Sequence, residues 1–214
     1  MRSSRIHSIA ALLVALGLTA CGGKASFDVS GVVTGLNSLP ASSVTLANGS
    51  DQITLNGDVT GPSAPFIFPN RIDYGTAYNV VVQTQPAHMT CVPTSATGSA
   101  GHTATIAATV SCGVNTFVLS GTVTGLTGTG LELANGSLPA TVLPLPLTPT
   151  AAVAFAFAPV AFGQTYTVRV LTPPSNPMQV CTVQAASGTT VGAPTGTMGD
   201  GAVANILVTC VTPG

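Results

Sequence analysis

The side chains best suited to chemistry are few. Histidine occurs at His7, His88 and His102, and the acidic residues are Asp28, Asp51, Asp58, Asp73, Glu132 and Asp200. A Ser-His-Asp arrangement could draw on His88 or His102 with Asp51 or Asp73, because a carboxylate that orients an imidazole helps it take a hydroxyl proton. No G-x-S-x-G elbow accompanies either histidine. His88 lies in Gln85-Pro86-Ala87-His88-Met89, which reads as a loop or a strand start, and His102 lies in a glycine-rich turn. Both read as solvated loop histidines, and hydrolysis is the least favoured function. Asp51 and Asp58 flank a short strand and, with Asn56, could offer calcium its oxygen ligands. At hairpin ends the same residue types are more commonly turn formers. Gly196-Thr197-Met198-Gly199-Asp200-Gly201 is rich in glycine, but no helix-forming sequence follows, as a phosphate cradle requires. The expectation is a chain with no catalytic residues, no cofactor and no metal.

The elements that would position these residues come as an internal repeat. Phe27-Asp28-Val29-Ser30-Gly31-Val32-Val33-Thr34-Gly35-Leu36 matches Phe117-Val118-Leu119-Ser120-Gly121-Thr122-Val123-Thr124-Gly125-Leu126. Val44-Thr45-Leu46-Ala47-Asn48-Gly49-Ser50 matches Leu131-Glu132-Leu133-Ala134-Asn135-Gly136-Ser137. Phe66-Ile67-Phe68 matches Phe155-Ala156-Phe157, and the strand-like run from Gly75 through Tyr78 to Val82 matches that from Gly163 through Tyr166 to Val170. Alternation puts each Phe pair on one face of its strand, and Tyr78, Val80, Val82 and Tyr166, Val168, Val170 point inward by the same rule. Asn48-Gly49, Asn135-Gly136 and, in the first copy alone, Asn56-Gly57 read as tight hairpin turns that want positive φ. The Asn-Gly-Ser triplets also fit the glycosylation acceptor pattern, and are read here as turns.

The organisation that follows is a segment 1–20, a tether 21–26, a repeat 27–112, a joint 113–116 and a repeat 117–214. Each copy is long enough to bury its own core. Gly, Thr, Ser, Val, Ala and Pro dominate, and Trp is absent, so the fold class is all-β: two tandem antiparallel β-sandwiches. The order Ser-Gly-x-Val-x-Gly, Val-x-Leu, Phe-x-Phe, Gly-x-x-Tyr-x-Val-x-Val, carried in the first copy by Ser30, Gly31, Val33, Gly35, Val44, Leu46, Phe66, Phe68, Gly75, Tyr78, Val80 and Val82, resembles the carboxypeptidase-regulatory-like and prealbumin-like (transthyretin-like, Ig-like) sandwich modules. The cysteines after the Tyr strand depart from that module and are similar to a tandem repeat of bacterial lipoproteins. The resemblance implies a fold and no activity.

Cysteine occurs five times. Cys91, Cys112, Cys181 and Cys210 recur with the repeat and allow three pairings. Repetition favours Cys91–Cys112 and Cys181–Cys210, as expected in an oxidising, exported compartment. Cys21 is left over. Arg2 and Arg5 precede an apolar run at 9–18, the pattern of a secretory signal, too short for a spanning helix. Leu18-Thr19-Ala20-Cys21 resembles the lipobox of bacterial lipoproteins. The resemblance implies cleavage before Cys21, a diacylglyceryl thioether on its sulfur and an acyl (palmitate) chain on its amine. Gly22 in place of Asp implies sorting to the outer membrane of a Gram-negative envelope.

From Cys21 onward three basic residues (Lys24, Arg71, Arg169) face six acidic ones, a net side-chain charge of −3. No basic stripe exists for nucleic acid. Residues 138–161 are apolar but hold Pro139, Pro144, Pro146, Pro149 and Pro159, which reads as extended edge chain and not a membrane helix. The expected partners are the membrane, through Cys21, and an envelope protein or polysaccharide. The leading expectation is a non-enzymatic structural or interaction lipoprotein; the alternative is a lipoprotein that binds polysaccharide or a small apolar ligand beside residues 138–161.

Overall fold

A computed structural model describes residues 24–57, 61–137, 141–142, 151–184 and 194–214. The first repeat forms β1 (Val29–Thr34), β2 (Ser43–Asn48), β3 (Asp51–Asn56), β4 (Ser63–Ile67), β5 (Ala77–Thr84), β6 (Met89–Thr94), β7 (Thr97–Ser99) and β8 (Ile106–Val114). The second forms β9 (Leu119–Thr124), β10 (Glu132–Asn135), β11 (Thr141–Val142), β12 (Val153–Ala156), β13 (Thr165–Thr172), β14 (Val180–Val183), β15 (Thr195–Thr197) and β16 (Val203–Val211). Two-residue pairs flank them, Ser26–Phe27 with Ile72–Asp73 and Thr116–Phe117 with Val160–Ala161. The sheets are β4-β1-β8-β6 and β3-β2-β5-β7 in the first sandwich, and β12-β9-β16-β14 and β11-β10-β13-β15 in the second. Strand for strand, the topology repeats at an interval of eight.

Alternation along each strand sends one residue set inward. Val44, Leu46, Phe66, Phe68, Val80, Ile106 and Val110 bury into the first core, and Leu131, Leu133, Phe155, Phe157, Tyr166, Val168, Ile206 and Val208 into the second. Tyr78 only packs partly buried against its core, whereas Tyr166 is buried. The described part of 138–161 also turns inward: Val153, Phe155, Phe157 and Val160 join the second core, and β12 forms a sheet edge.

The sheets are antiparallel except for one pair in each repeat. β1 pairs in parallel with β8, and β9 with β16. At this seam a glycine is required. A Cβ on Gly31 would lie 2.0 Å from the Ala108 carbonyl oxygen and 2.6 Å from Phe66 Cζ; on Gly121 it would lie 2.0 Å from the Ile206 oxygen and 2.7 Å from Phe155 Cζ. The repeated Ser-Gly thus marks where a Phe ring folds over the backbone of a central strand.

Both disulfides join residues directly opposed across the edge strand and its neighbour, Cys91 with Cys112 and Cys181 with Cys210. They close sequence separations of 21 and 29 residues, which corresponds to about 3–4 kcal/mol each in the chain-entropy account.

The hairpin turns differ in detail from the sequence expectation. In β2–β3, Asn48 and Asp51 are the last paired residues, so the central residues are Gly49 and Ser50, with φ +62° at Gly49. Asn48 instead accepts the Asn79 backbone N–H at 2.9 Å through Oδ1, and Asn135 accepts that of Thr167 at 2.8 Å. The asparagine pins the neighbouring strand and the glycine alone makes the turn. Gly57 has no positive φ; its N–H donates to the Ser42 carbonyl at 2.7 Å and extends the ladder.

These two kinds of glycine predict a contrast. Gly31→Ala and Gly121→Ala should each destabilise their sandwich by about 2 kcal/mol or more, the cost of overpacking. Gly49→Ala, with open space around it, should lose only about 1 kcal/mol of left-handed strain. Urea unfolding of the variants checks the order, and an equal loss at Gly31 and Gly49 would contradict the seam.

Candidate functional site

The expected site residues scatter. Asp51 opens β3, where its Oδ1 accepts a hydrogen bond from Asn70 Nδ2 at 2.5 Å. Asn56 closes the same strand, five rises away or about 16 Å. One calcium ion cannot take both Asp51 and Asn56; Asp58, the third residue of the calcium reading, lies outside the described residues. Asp73 sits 3.9 Å from Lys24 Nζ, and His102 is exposed in the loop between β7 and β8. Neither Asp51 nor Asp73 hydrogen-bonds a histidine among the described residues, so the Ser-His-Asp arrangement weighed from the sequence is not assembled. Cys21 lies outside the described residues.

What does assemble is a joint between the sandwiches, centred on His88. Its Nδ1 lies 2.7 Å from Asp200 Oδ1, 112 residues on. Its ring stacks on Phe162, with centroids 3.7 Å apart and planes 4° apart. Its φ is +61°, a left-handed conformation that a non-glycine residue adopts seldom and that histidine tolerates better than most. Such outliers persist where the surroundings hold them. Here the holding is explicit, for the His88 carbonyl accepts the Asn115 N–H at 2.9 Å.

Asn115 completes the joint. Its carbonyl accepts the Phe162 N–H at 2.9 Å, and its Oδ1 accepts a hydrogen bond from Thr90 Oγ1 at 2.7 Å. One linker residue is therefore bonded to both sandwiches. The glycine-rich run 196–201 supplies the other wall. Met198 anchors it in the second core at 1% exposure, and Asp200 projects to His88. This loop serves the joint and not a phosphate.

Chemically the pair is a packing device. The side chains of His88 and Asp200 are 37% and 56% exposed, so water screens the contact and its electrostatic part amounts to about 1 kcal/mol or less. The stacked rings add about 0.5–1.5 kcal/mol beyond their area. No hydroxyl or thiol among the described residues hydrogen-bonds the His88 ring. Sequence reasoning singled out His88 but missed Phe162, Asp200 and Asn115, because nothing in local spacing links them. It also missed Gln179, which is buried at 2% and holds a loop of the second sandwich: its Oε1 accepts the N–H groups of Thr127 and Gly128 at 2.8 Å, and its Nε2 donates to the Gly125 carbonyl at 2.8 Å.

Two hollows lie in equivalent places beside the hairpin turns. One, of about 480 Å³, is lined by Asn48, Asp51, Asn70 and Tyr78; the other, of about 410 Å³, by Asn135, Ser137, Pro159 and Gln164. Both are open, and apolar residues such as Ile72, Ala77, Val160 and Ala161 share their walls with the polar ones.

The joint predicts that orientation and folding separate. Phe162→Ala should broaden the distribution of distances between spin labels placed one on each sandwich, while the unfolding free energy changes by no more than about 1.5 kcal/mol, the scale of the stacking lost. Asp200→Asn keeps a hydrogen-bonding oxygen and should leave the distribution narrow. An unchanged distribution in Phe162→Ala would show that the joint does not set the orientation.

No protein-family model matches the chain, and comparison with curated proteins finds no significant match.

Proposed function

We propose that the protein is a non-enzymatic lipoprotein of the cell envelope, held at the outer membrane by lipid on Cys21, whose sandwiches act as a structural or protein-interaction module. The observation that carries this reading is the unequal use of residues by the two repeats. They share core, turns, disulfides and seam glycines, whereas the polar cluster that bridges them among the described residues, His88–Asp200 with Asn115, is spent on docking module to module. Two paired disulfides fit an oxidising compartment, and they leave Cys21 outside the pairing, available for lipid. One acyl chain holds a protein only marginally, whereas two or three hold it stably, so the three chains of a processed lipoprotein suffice without any membrane-spanning helix.

The second reading is polysaccharide binding. The paired hollows favour it, since asparagine, glutamine, serine and threonine line them beside apolar residues, a mixture that suits a hydroxylated ligand with apolar ring faces. A small apolar ligand beside residues 138–161 has less support, because Val153, Phe155, Phe157 and Val160 already fill the second core.

Mass spectrometry of the protein isolated from membranes should find a mature N-terminus at Cys21 carrying both thioether and amide lipid. Cys21→Ser should move the protein from the membrane to the soluble fraction. An unmodified Cys21 thiol in the wild type would refute the anchor. Crosslinking in intact envelopes should capture the protein in a discrete heteromeric adduct, and recovery of the uncrosslinked chain alone would refute the interaction role.

A further inference from the structure

The end of the first sandwich away from the joint carries large side chains that the described residues leave exposed. The parallel pairing defines this end. Ile106 pairs with Val29 there, and Val114 pairs with Met89, next to His88, at the other end of β8. The separation is about 26 Å along the strand. At the far end the chain enters from the tether: Ser26 and Phe27 pair with Asp73 and Ile72, and the Tyr74 N–H donates to the Ala25 carbonyl at 2.8 Å. Tyr74 is 66% exposed and Ile67 54%. Lys24 and Arg71, two of the three basic residues after Cys21, are here as well.

The repeat shows what Tyr74 is placed to do. Gly75 matches Gly163, so Tyr74 stands where Phe162 stands in the second sandwich. The backbone agrees. Tyr74 donates to Ala25 as Phe162 donates to Asn115, and Gly75 donates to Ala100 as Gly163 donates to Met198. Phe162 is the aromatic with which the second sandwich docks on what precedes it. What precedes the first sandwich is the tether. Five peptide links separate Cys21 from Ser26, a reach of at most about 18 Å. If Cys21 is in the bilayer, this end of the sandwich is at its surface.

We infer that Tyr74, Ile67, Lys24 and Arg71 form a membrane-facing end that rests the first sandwich on the lipid headgroups and stands the second sandwich away from them. This inference rests on the lipid-anchor reading. Tyrosine, amphipathic where Phe162 is not, is suited to the headgroup layer, and long basic side chains extend along it. The charges also select the lipid. Arg71 Nε is 3.0 Å from Asp28 and Lys24 is 3.9 Å from Asp73, and Asp51 lies at the same end through its bond to Asn70. The cations are offset by carboxylates, so the end fits a zwitterionic surface and needs no anionic lipid.

The chain has no tryptophan, so a single introduced one is a clean reporter. Tyr74→Trp, Ile67→Trp and, at the distal end, Met178→Trp are each purified as the full lipidated protein and reconstituted into vesicles of brominated phosphatidylcholine. Emission from Tyr74→Trp and Ile67→Trp should fall by about half relative to unbrominated vesicles, as for side chains within the headgroup and upper acyl region. Emission from Met178→Trp should not change. Protein that floats with the vesicles but shows no quenching at either proximal site overturns the membrane-facing end while sparing the anchor. Equal quenching at Met178→Trp overturns the upright orientation. Protein that fails to float, with an unmodified Cys21, overturns the anchor and the orientation together.

Discussion

The parallel pairing of the first and last strand of each repeat is the constraint on which the architecture depends. β1 and β8 run side by side in one direction, as do β9 and β16. The chain therefore enters a sandwich at one end and leaves at the other. An antiparallel pair would return the exit beside the entry and set the modules flank to flank. A parallel pair makes them follow one another, and a joint as short as Asn115 can then span from one to the next. The pairing also has the longest reach in sequence of any strand pair in its sandwich, 77 residues between Val29 and Ile106 and 85 between Gly121 and Ile206, so each sandwich closes only when its last strand arrives. The seam glycine of β1 packs against this last strand and the edge disulfide is anchored on it, Gly31 against Ala108 and Cys112 with Cys91.

Much of the fold was legible because it obeys local rules. Period-two alternation marked Phe66 and Phe68, Tyr166 and Val168 as inward residues, and the repetition of cysteines gave the pairing of the bridges. Legibility fails where a role depends on a partner distant in sequence. Gly31 reads as part of a motif, but the need for glycine comes from the Ala108 carbonyl on a strand that only the tertiary fold brings alongside. Asn48 reads as a turn residue by propensity, yet the backbone N–H of Asn79 competes for its side chain and wins. Gly57 fails for the same reason, since its N–H is engaged by the Ser42 carbonyl of the neighbouring segment and its φ is not positive. The His88–Asp200 pair spans 112 residues across two modules, and no periodicity within one repeat encodes it.

The composition has a physical consequence for the joint. With so few charges, the sandwiches gain little from surface ion pairs, and both repeats are held by apolar cores and a bridge apiece. Among the described residues neither buried cluster extends across the joint. What joins them there is a stacked ring pair, a His–Asp contact and the hydrogen bonds of Asn115, each worth about 1 kcal/mol net. That scale suffices to choose an orientation while leaving each sandwich able to fold on its own cluster of buried residues. The strained φ at His88 fits this division. Left-handed residues also occur away from the joint, at Ala41, Ser95, Asn176 and Asn205, but at His88 the conformation serves the docking itself.

The repeats also show which features belong to the module and which to its position. Core, turns and disulfides recur, so they belong to the module. The residue three before the first bridging cysteine is His88 in one copy and Met178 in the other, and the aromatic before the conserved-position glycine is Tyr74 in one and Phe162 in the other. His88 and Phe162 meet each other; Met178 and Tyr74 are the most exposed large apolar residues of the described chain, at 71% and 66%. The same two positions are therefore packed against each other, half-buried, where the modules meet and more open to the surroundings at the two ends. Duplication alone would have left identical residues at both. The divergence follows environment: a planar ring pair where protein meets protein, and an amphipathic phenol at the end from which the tether leaves.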